Sequence, residues 1–436
     1  MKNIFEFFIS SYLITLLLLS FSYSVENKKL KNGITVIFDT NPSATTTAIQ
    51  IWISAGAVNE DEDISGISHF IEHLIFKGTP TRTQKQIAPE IEKLGGIVNA
   101  ATSKDFTYFY SIVPSSYSFK ATEILADAVL NPLLSEEEIE KERKVILEEI
   151  KRSDDNPQSQ LFNEFYKYAY PKFSCYTKKV IGTEKTVSKL KRDDFLSFHK
   201  KFYIPKNIFV VVAGNFNEKE MFNFLKNNST LAGLEKIKRK KDRTNIHSLE
   251  PENELSQKKI IKKNISQTHI LMGFPAASIK SKDQFSLDIA SYVLGTGRAS
   301  RLYKKLVEET KLAYTISVSF ATHRGPGLFY VYAECLPENT SAVSDKILTE
   351  LNQLTFKNVT YEELDRAKAL LMRDKLLQEQ TPDGKAEELG FYTTLGNRKI
   401  AKNYIKNIKK VKPQNIKSVI SKYLISPNIP TVVITP

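Results

Sequence analysis

The 436-residue chain has very few cysteines and histidines, two of the first and six of the second. Two cysteines, Cys175 and Cys335, cannot form a disulfide scaffold or a cysteine-rich zinc module. Any metal site must therefore use histidine and carboxylate ligands. The sequence does not show whether the two cysteines lie close enough to pair.

Long hydrophobic runs are also scarce. Beyond the N-terminus, no apolar segment is long enough to span a bilayer. Residues 1–24 contain Lys2, an apolar stretch from Tyr12 to Leu19, and the small-residue pattern Ser22-Tyr-Ser24. This pattern is typical of a secretory signal peptide cut near Ser24. An uncleaved membrane anchor is the alternative, although the apolar core is shorter than the ~20 residues that span comfortably. We expect an exported protein, periplasmic or secreted, with membrane association only if the segment is uncleaved.

The composition is that of a folded soluble protein, with 41% hydrophobic and 25% charged residues. The length fits two to four domains. Lysine and arginine number 62 against 49 acidic residues, which gives a net charge of +13. Such an excess would suit an anionic surface if it were focused on one face, but net charge does not show focusing. Nucleic acid is not an expected partner of an exported chain.

The chain contains a weak internal duplication at an offset of 221 residues. The segment 187–215 matches the segment 408–436, and each half reads strand, helix, strands, helices, strand. The matched pairs are Leu190 with Val411, Phe195 with Ile416, Phe198 with Val419, Phe202 with Tyr423, Ile49 with Ile270, and Phe109 with Tyr330.

The pattern predicts an α+β fold in which each half has strands with longer helices between them. The domains are predicted as a signal peptide over 1–24, a catalytic zinc-binding domain over 25–226, a charged linker over 227–259, and a domain without metal over 260–436. The linker contains a basic cluster at 236–243, which is either a solvated connector or a docking site for an anionic surface. The candidate strands are Ala48–Ala55, Phe106–Val113, Phe209–Ala213, Thr268–Phe274, Leu328–Cys335 and Thr431–Thr435.

The segment His69-Phe-Ile-Glu-His73 has the spacing H-x-x-E-H. On a helix, residues four apart lie on one face, so His69 and His73 can reach one ion with Glu72 beside them. Apolar neighbours make this helix a buried one, and buried imidazoles and carboxylates are costly without compensation. Zinc fits these ligand types, and Glu72 would act as general base towards a zinc-activated water. A hydrogen-bonded pair of core histidines is the alternative.

A helix beginning near Ser135 offers a third ligand, and Ser135 to Glu138 forms a plausible capping box. At 100° per residue, Glu142 and Glu149 fall on or beside the apolar stripe, whereas Glu148 points nearly the opposite way. We interpret Glu149 as the third ligand and Glu142 as a carboxylate that orients the site. The alternative is that both acids only cap the helix or pair with basic residues.

These residues resemble the pitrilysin-type zinc metallopeptidases, the inverted-motif family that includes mitochondrial processing peptidase and related bacterial zinc proteases. The resemblance rests on the segments 66–79, 95–100 with Thr102 and Thr107, and 142–149. It implies one zinc ion per chain on His69, His73 and Glu149, with Glu72 as base and Glu142 in support.

The resemblance also implies that two duplicated halves, each a mixed and mainly antiparallel sheet with helices packed on it, face each other around a chamber. The segment with Asn99 and Ala100 would be an edge strand that pairs with an extended peptide, and Phe76 would be a further substrate contact. The expected activity is that of a zinc endopeptidase acting on peptides or extended protein segments.

Two departures from the family pattern bear on activity. At the offset of 221, Ala290, Val293 and Leu294 stand opposite the ligand motif, so the second half should bind no zinc. The family commonly has an arginine seven residues before a tyrosine that stabilises the oxyanion, whereas here Tyr314 follows Val307.

These departures leave two functional interpretations open, and a third rests only on the net charge of +13. In the first, the chain is a peptidase in which Tyr314 acts alone or with help from Arg301, or in which a partner subunit in a homodimer or heterodimer supplies the arginine. In the second, the chain is a non-catalytic subunit of a heterodimeric peptidase. In the third, which has less support, it is a protein that binds anionic surfaces.

Overall fold

The computed structural model of the chain describes residues 25–170, 174–235, 258–425 and 429–436. The predicted signal segment and most of the predicted linker, residues 236–257, lie outside the described residues. Within the described ranges, no helix is both long and apolar enough to cross a membrane.

The first sheet has six strands in the order β1-β2-β6-β3-β5-β4. Strand β2 pairs with β6 in parallel, and the other neighbours are antiparallel. Both faces of β3 and β6 are covered, and their continuous apolar runs suit that position. The strands are β1 Val25–Lys29, β2 Thr35–Thr40, β3 Thr46–Ile53, β4 Ile97–Thr102, β5 Thr107–Pro114 and β6 Ile208–Gly214.

The second sheet has five strands in the order β7-β11-β8-β10-β9, with β7 and β11 parallel and the rest antiparallel. The predicted mixed, mainly antiparallel sheets are confirmed. The six strands that were predicted from sequence are all present, and β4 was expected only from the family resemblance. Strands β1, β2, β7 and β9 were not predicted. The strands are β7 Lys258–Lys262, β8 Thr268–Ala276, β9 Ala313–Ala321, β10 Gly327–Cys335 and β11 Thr431–Thr435.

Helices lie between the strands in both halves, and short 3-10 turns precede or follow several of them. The first half has α1 Ile67–Leu74, α2 Gln84–Lys93, α3 Ser118–Leu130, α4 Glu136–Asp155, α5 Pro157–Ala169, α6 Ser174–Thr177, α7 Glu184–Val187, α8 Arg192–Phe202, α9 Glu218–Asn227 and α10 Ser229–Ala232. The second half has α11 Asp283–Gly295, α12 Arg301–Tyr303 continued by a π-helix over Lys304–Glu309, α13 Thr340–Phe356, α14 Tyr361–Gln378, α15 Pro382–Thr394, α16 Lys399–Lys410 and α17 Pro413–Tyr423. Since α10 lies inside residues 227–259 and β7 begins there, ordered elements extend into both ends of the predicted linker.

The internal duplication is present in the strand register. Ile49 pairs with Val212 in the first sheet, and Ile270 pairs with Val433 in the second, with both residues displaced by 221. The helices α8 and α17 are displaced by the same amount.

The predicted match of Phe109 with Tyr330 is wrong by one position. Ile49 pairs with Ser111 and Ile270 with Ala333, so the counterpart of Phe109 on β10 is Val331. Both Phe109 and Val331 are buried beneath the helices of their own half. Because alternate residues of a strand point to opposite faces, Tyr330 packs instead on the other side of its sheet.

The two halves each place one helix on the sheet of the other. Helix α5 of the first half packs on β8 and β11, and helix α15 of the second half packs on β3 and β6. We call α5 and α15 the exchanged helices. Their contacts bury the sheet faces that the helices of the same half leave open, and so join the two halves.

Candidate metal centre

Helix α1 presents the H-x-x-E-H motif, and its N-terminus is held by a buried carboxylate. Glu60 accepts hydrogen bonds from the backbone N–H groups of Gly66 (2.8 Å) and Ser68 (2.9 Å). Gly66 has φ +97°, and a Cβ there would lie 2.8 Å from the carbonyl oxygen of Ile181, so only glycine fits this close approach. The apolar residues of α1 are buried in the first-half core.

Three predicted ligands converge where α1 crosses α4. His69 Nε2 lies 3.9 Å from Glu149 Oε1, and His73 Nε2 lies 3.7 Å from Glu149 Oε2. The three ligand atoms lie within 4.8 Å of one another. These N···O separations are too long for hydrogen bonds but suit two atoms that each lie about 2 Å from a shared ion.

The protonation of His69 also fits a metal ligand. Burial, and then the nearby His73, lower the pKa of His69 to about 4, so its imidazole is neutral at neutral pH. A neutral imidazole forms no ion pair with Glu149, and His69 Nδ1 is buried without a hydrogen-bond partner. Two imidazoles and a carboxylate are a donor set that zinc prefers in proteins, so these residues fit the implied metal.

Glu142 fixes the orientation of His73 from the side opposite Glu149. Its Oε2 lies 3.2 Å from His73 Nδ1, and its Oε1 pairs with Lys77 Nζ at 2.6 Å. A proton on Nδ1 that is shared with Glu142 leaves Nε2 as the unprotonated nitrogen, which faces Glu149. Glu142 is buried, whereas 41% of the Glu149 side chain is exposed.

Glu72 is held beside the ligands by a residue of β4. Thr102 donates a hydrogen bond from Oγ1 to Glu72 Oε2 at 2.5 Å. Burial raises the pKa of Glu72, and the bond from Thr102 opposes that rise. A carboxylate with a raised pKa is a stronger proton acceptor than an exposed one.

The predicted substrate contacts lie next to this centre. Asn99 and Ala100 are on β4, which is the terminal strand of its sheet and pairs only with β5 among the described strands. Asn99 is exposed, and its Oδ1 accepts a hydrogen bond from the N–H of Ala100. Phe76 follows α1 in a 3-10 turn, where it is partly buried and contacts Phe109.

The candidate oxyanion residues of the second half do not form a comparable cluster among the described residues. Tyr314 lies on β9, the terminal strand of the second sheet, with 54% of the residue exposed. Val307 is in the π-helix and packs on the second-half core. Arg301 forms two hydrogen bonds with Glu363, so its guanidinium is already paired and the predicted help to Tyr314 has no support.

The second half lacks the ligand motif in space as well as in sequence. Ala290, Val293 and Leu294 are fully buried on α11 and contribute only apolar packing. Among the residues described, the three-residue cluster of His69, His73 and Glu149 is the one group that could hold a metal ion.

Several residues around the centre were not predicted from sequence. Glu60 lies in the loop before α1, and Lys77 lies in the 3-10 turn after it, where no helical or strand period marks either residue. Thr102 was part of the resembling segment, but its bond to Glu72 depends on where β4 passes α1. Ser135 caps α4 as predicted, but Glu138 bonds Lys141 instead of completing the capping box.

Comparison with known proteins identifies the family of this chain. The sequence profile "Insulinase (Peptidase family M16)" matches residues 35–180, and "Peptidase M16 inactive domain" matches residues 189–371. An uncharacterized zinc protease of Rickettsia felis is 33% identical over 394 residues, 90% of each chain. The chain belongs to peptidase family M16. An uncharacterized zinc protease of Bacillus subtilis is 29% identical and covers 83% of this M16 chain and 86% of its own.

Solved structures agree with the M16 assignment. A protease from Helicobacter pylori has a TM-score of 0.88 and 25% identity, with 95% of this chain and 99% of that chain covered. A peptidase M16 inactive domain from Pseudomonas fluorescens has a TM-score of 0.84 and 18% identity, with 95% and 98% covered, which shows the shared fold. The expected fold of two sheet-plus-helix halves is thus confirmed.

Proposed function

We propose that this M16 chain is a zinc-dependent endopeptidase that hydrolyses peptides and extended protein segments. The observation that supports this most directly is the convergence of His69 Nε2, His73 Nε2 and the Glu149 carboxylate, with Glu72 beside them. One zinc ion per chain, when bound by these residues, supplies a Lewis acid that polarises a carbonyl and acidifies water.

Proton transfer, ligand orientation and oxyanion stabilisation are assigned to side chains of this chain. Glu72, held by Thr102, accepts the proton of the attacking water and later gives it to the leaving amine. Glu142 accepts a hydrogen bond from His73 Nδ1–H. The Nε2 atom of His73 therefore keeps its lone pair for the metal. Tyr314 is assigned as a donor to the developing oxyanion once the substrate spans both halves.

The substrate is proposed to bind as an added strand along β4. The outer edge of β4 carries backbone groups that no described strand pairs with, next to Glu72 and the ligands. Backbone pairing at Asn99 and Ala100 would hold any extended peptide, and Phe76 would contact a side chain. Folded proteins should therefore be poor substrates.

A second candidate function is that of a partner-dependent subunit. Val307 stands where the family commonly has arginine, and Arg301 is paired with Glu363. We propose that a second chain, a paralogue rather than a copy, supplies the missing guanidinium. Full activity of the chain as a monomer, measured by mass in solution and peptide turnover, would refute this.

We propose further that the enzyme is exported, since residues 1–24 have the composition of a signal peptide. N-terminal sequencing of the chain from its native cells tests this proposal. A mature N-terminus near Val25 supports it, and an intact Met1 in a membrane-free fraction contradicts it.

The central test is a digest of a peptide library by the purified chain, with and without a metal chelator, read by mass spectrometry. Cleavage that stops with chelator and returns with zinc is the expected result. Glu72→Gln should reduce turnover about 10²- to 10⁴-fold, the usual contribution of a general base, while the bound zinc stays the same. Unchanged turnover in Glu72→Gln, or chelator-resistant cleavage, would overturn the mechanism.

A further inference from the structure

A cavity of about 860 Å³ opens directly beside the candidate metal centre. Its walls come from the C-terminal end of α4, from α5, and from the turn between β4 and β5. His69 and Glu149 form one side of the cavity. The side chain of a substrate residue next to the scissile bond can therefore enter it.

The cavity has two cationic side chains and a single lining carboxylate, Glu149, which is already assigned as a ligand. Arg152 is exposed on α4, and Lys104 lies in the turn after β4. Neither of them forms a salt bridge with any residue that the structure describes. Two such cations beside a metal centre give the cavity a positive charge.

Lys104 is built into the cavity wall rather than mobile on its surface. Its ammonium group donates to the carbonyl oxygen of Lys178 and lies 4.6 Å from the centre of the Tyr166 ring. Burial lowers the pKa of Lys104 to about 8, with Glu60 opposing the fall. An anion placed next to this ammonium would offset the cost of its burial.

The remaining polar groups of the cavity suit an anion as well. Asn156, Gln158 and Asn163 carry amide N–H donors, and Ser159 carries a hydroxyl. Carboxylates prefer several hydrogen-bond donors of this kind together with a guanidinium or ammonium group.

We propose that this cavity receives a carboxylate of the substrate, so that cleavage favours peptides with an acidic group next to the scissile bond. The carboxylate comes either from an internal aspartate or glutamate side chain or from the C-terminus of a short peptide. The inference rests on the proposed peptidase function and names the substrate class of the same site.

The test uses matched peptides with glutamate or glutamine at each position around the mapped cleavage bond. We expect kcat/KM to be about tenfold higher for the glutamate peptide at one position, the ratio typical of a partly buried charge-assisted hydrogen bond. A second pair with a free or an amidated C-terminus distinguishes the two sources of the carboxylate. The preference should weaken as salt is raised.

Charge reversal identifies the cavity as the cause of the preference. Arg152→Glu should invert the glutamate-to-glutamine ratio, and Lys151→Glu on the same helix turn should leave it unchanged, because Lys151 does not line the cavity. The readout is the ratio rather than the absolute rate, so a loss of overall activity does not obscure it. A ratio near one at every position, or equal inversion in both variants, overturns the proposal.

Binding to the Glu72→Gln chain, measured by fluorescence anisotropy, separates this inference from the proposed function. Tighter binding of the acidic peptide without any cleavage by the natural chain would contradict the peptidase and leave the carboxylate site standing. Cleavage without preference for an acidic residue would contradict the carboxylate site and leave the proposed peptidase function standing.

Discussion

Glu142 and Glu149 lie on the same helix, seven residues apart, but do different work. Glu149 faces the two histidine Nε2 atoms, whereas Glu142 bridges His73 Nδ1 and Lys77. The helix period was sufficient to predict that both acids lie near the apolar face and Glu148 does not, because seven residues are close to two full turns. It was not sufficient to predict Lys77, since that contact depends on how α1 crosses α4.

The role of Glu142 leads to a prediction about zinc affinity. Glu142→Gln keeps the shape of the side chain but removes the negative charge beside His73 and Lys77. We expect zinc affinity to fall about 10- to 100-fold, the usual cost of losing such a partner. Competition against a chromophoric chelator measures it, with the exposed Glu148→Gln as a control that should bind zinc normally. Equal affinity in both variants would contradict the assignment.

Glu60 gives a prediction about pH. Burial raises its pKa from 4.5 to about 7, despite bonds from Gly66 and Ser68. The folded chain thus holds this proton more tightly than the unfolded chain, and unfolding free energy falls as pH rises towards 7.

The matched variant Glu60→Gln has no such proton to lose. Relative to the natural chain, its unfolding free energy should therefore rise by about 3 kcal/mol between acidic and mildly basic pH, at about 1.4 kcal/mol per pH unit. Urea unfolding of both proteins across that range measures the difference. Two parallel curves would mean that Glu60 does not titrate in this window.

At the scale of elements, the exchanged helix α15 meets the first sheet at one close contact. A Cβ at Gly390 would lie 2.1 Å from the Trp52 ring, whose Nε1 donates to Gln50 Oε1. Gln50 in turn donates to Asp383 at the start of α15. The helix and the strand therefore have no room for an added methyl group.

Gly390→Ala should lower the free energy of unfolding by about 1–3 kcal/mol, the usual cost of overpacking. In a double-mutant cycle with Trp52→Phe, the smaller ring should recover part of that loss. Unfolding by urea, followed by circular dichroism, measures all four proteins. Purely additive losses would show that the two side chains do not meet.

Strand prediction succeeded for most strands that are buried on both faces, with β2 as an exception. The continuous apolar runs of β3, β6 and β8 are visible directly in the order of hydrophobic residues. The edge strands β7 and β9 carry lysines or exposed residues, and β7 pairs with β11, a strand far along the chain. The one-residue error between Phe109 and Tyr330 has a different origin, because a constant offset ignores a change of length between strands.

At the scale of the whole molecule, the halves are also joined by a buried polar contact. Asp105 of the first half accepts hydrogen bonds from Tyr176 Oη and from the N–H of Arg324, and lies 3.4 Å from His323 Nδ1. Burial alone would raise its pKa, but the His323 contact and Arg324 outweigh burial and hold the pKa below the usual range. Its stabilising effect is present above the ordinary pKa of an aspartate and is lost as pH falls.

Asp105→Asn should therefore destabilise the chain by about 3 kcal/mol at neutral pH and by less in acid. The difference in urea midpoint from the natural chain, measured at both pH values, tests this. Asp61→Asn, at an exposed position, is the matched control and should have no effect. An Asp105→Asn loss that does not shrink in acid would show that the charge is not the cause.

All three ligand side chains of the metal centre come from α1 and α4 of one half, while the second half supplies only packing at the equivalent positions. A change in the second half can therefore alter contacts made from that half, such as those of Tyr314, without changing how the candidate metal ligands are held. The duplicated half is in this sense free to diversify, and Val307, which stands where the family pattern has arginine, is one such position. Grafting the second half of a relative onto this first half should leave both the metal content and the acidic preference proposed for the first-half cavity unchanged.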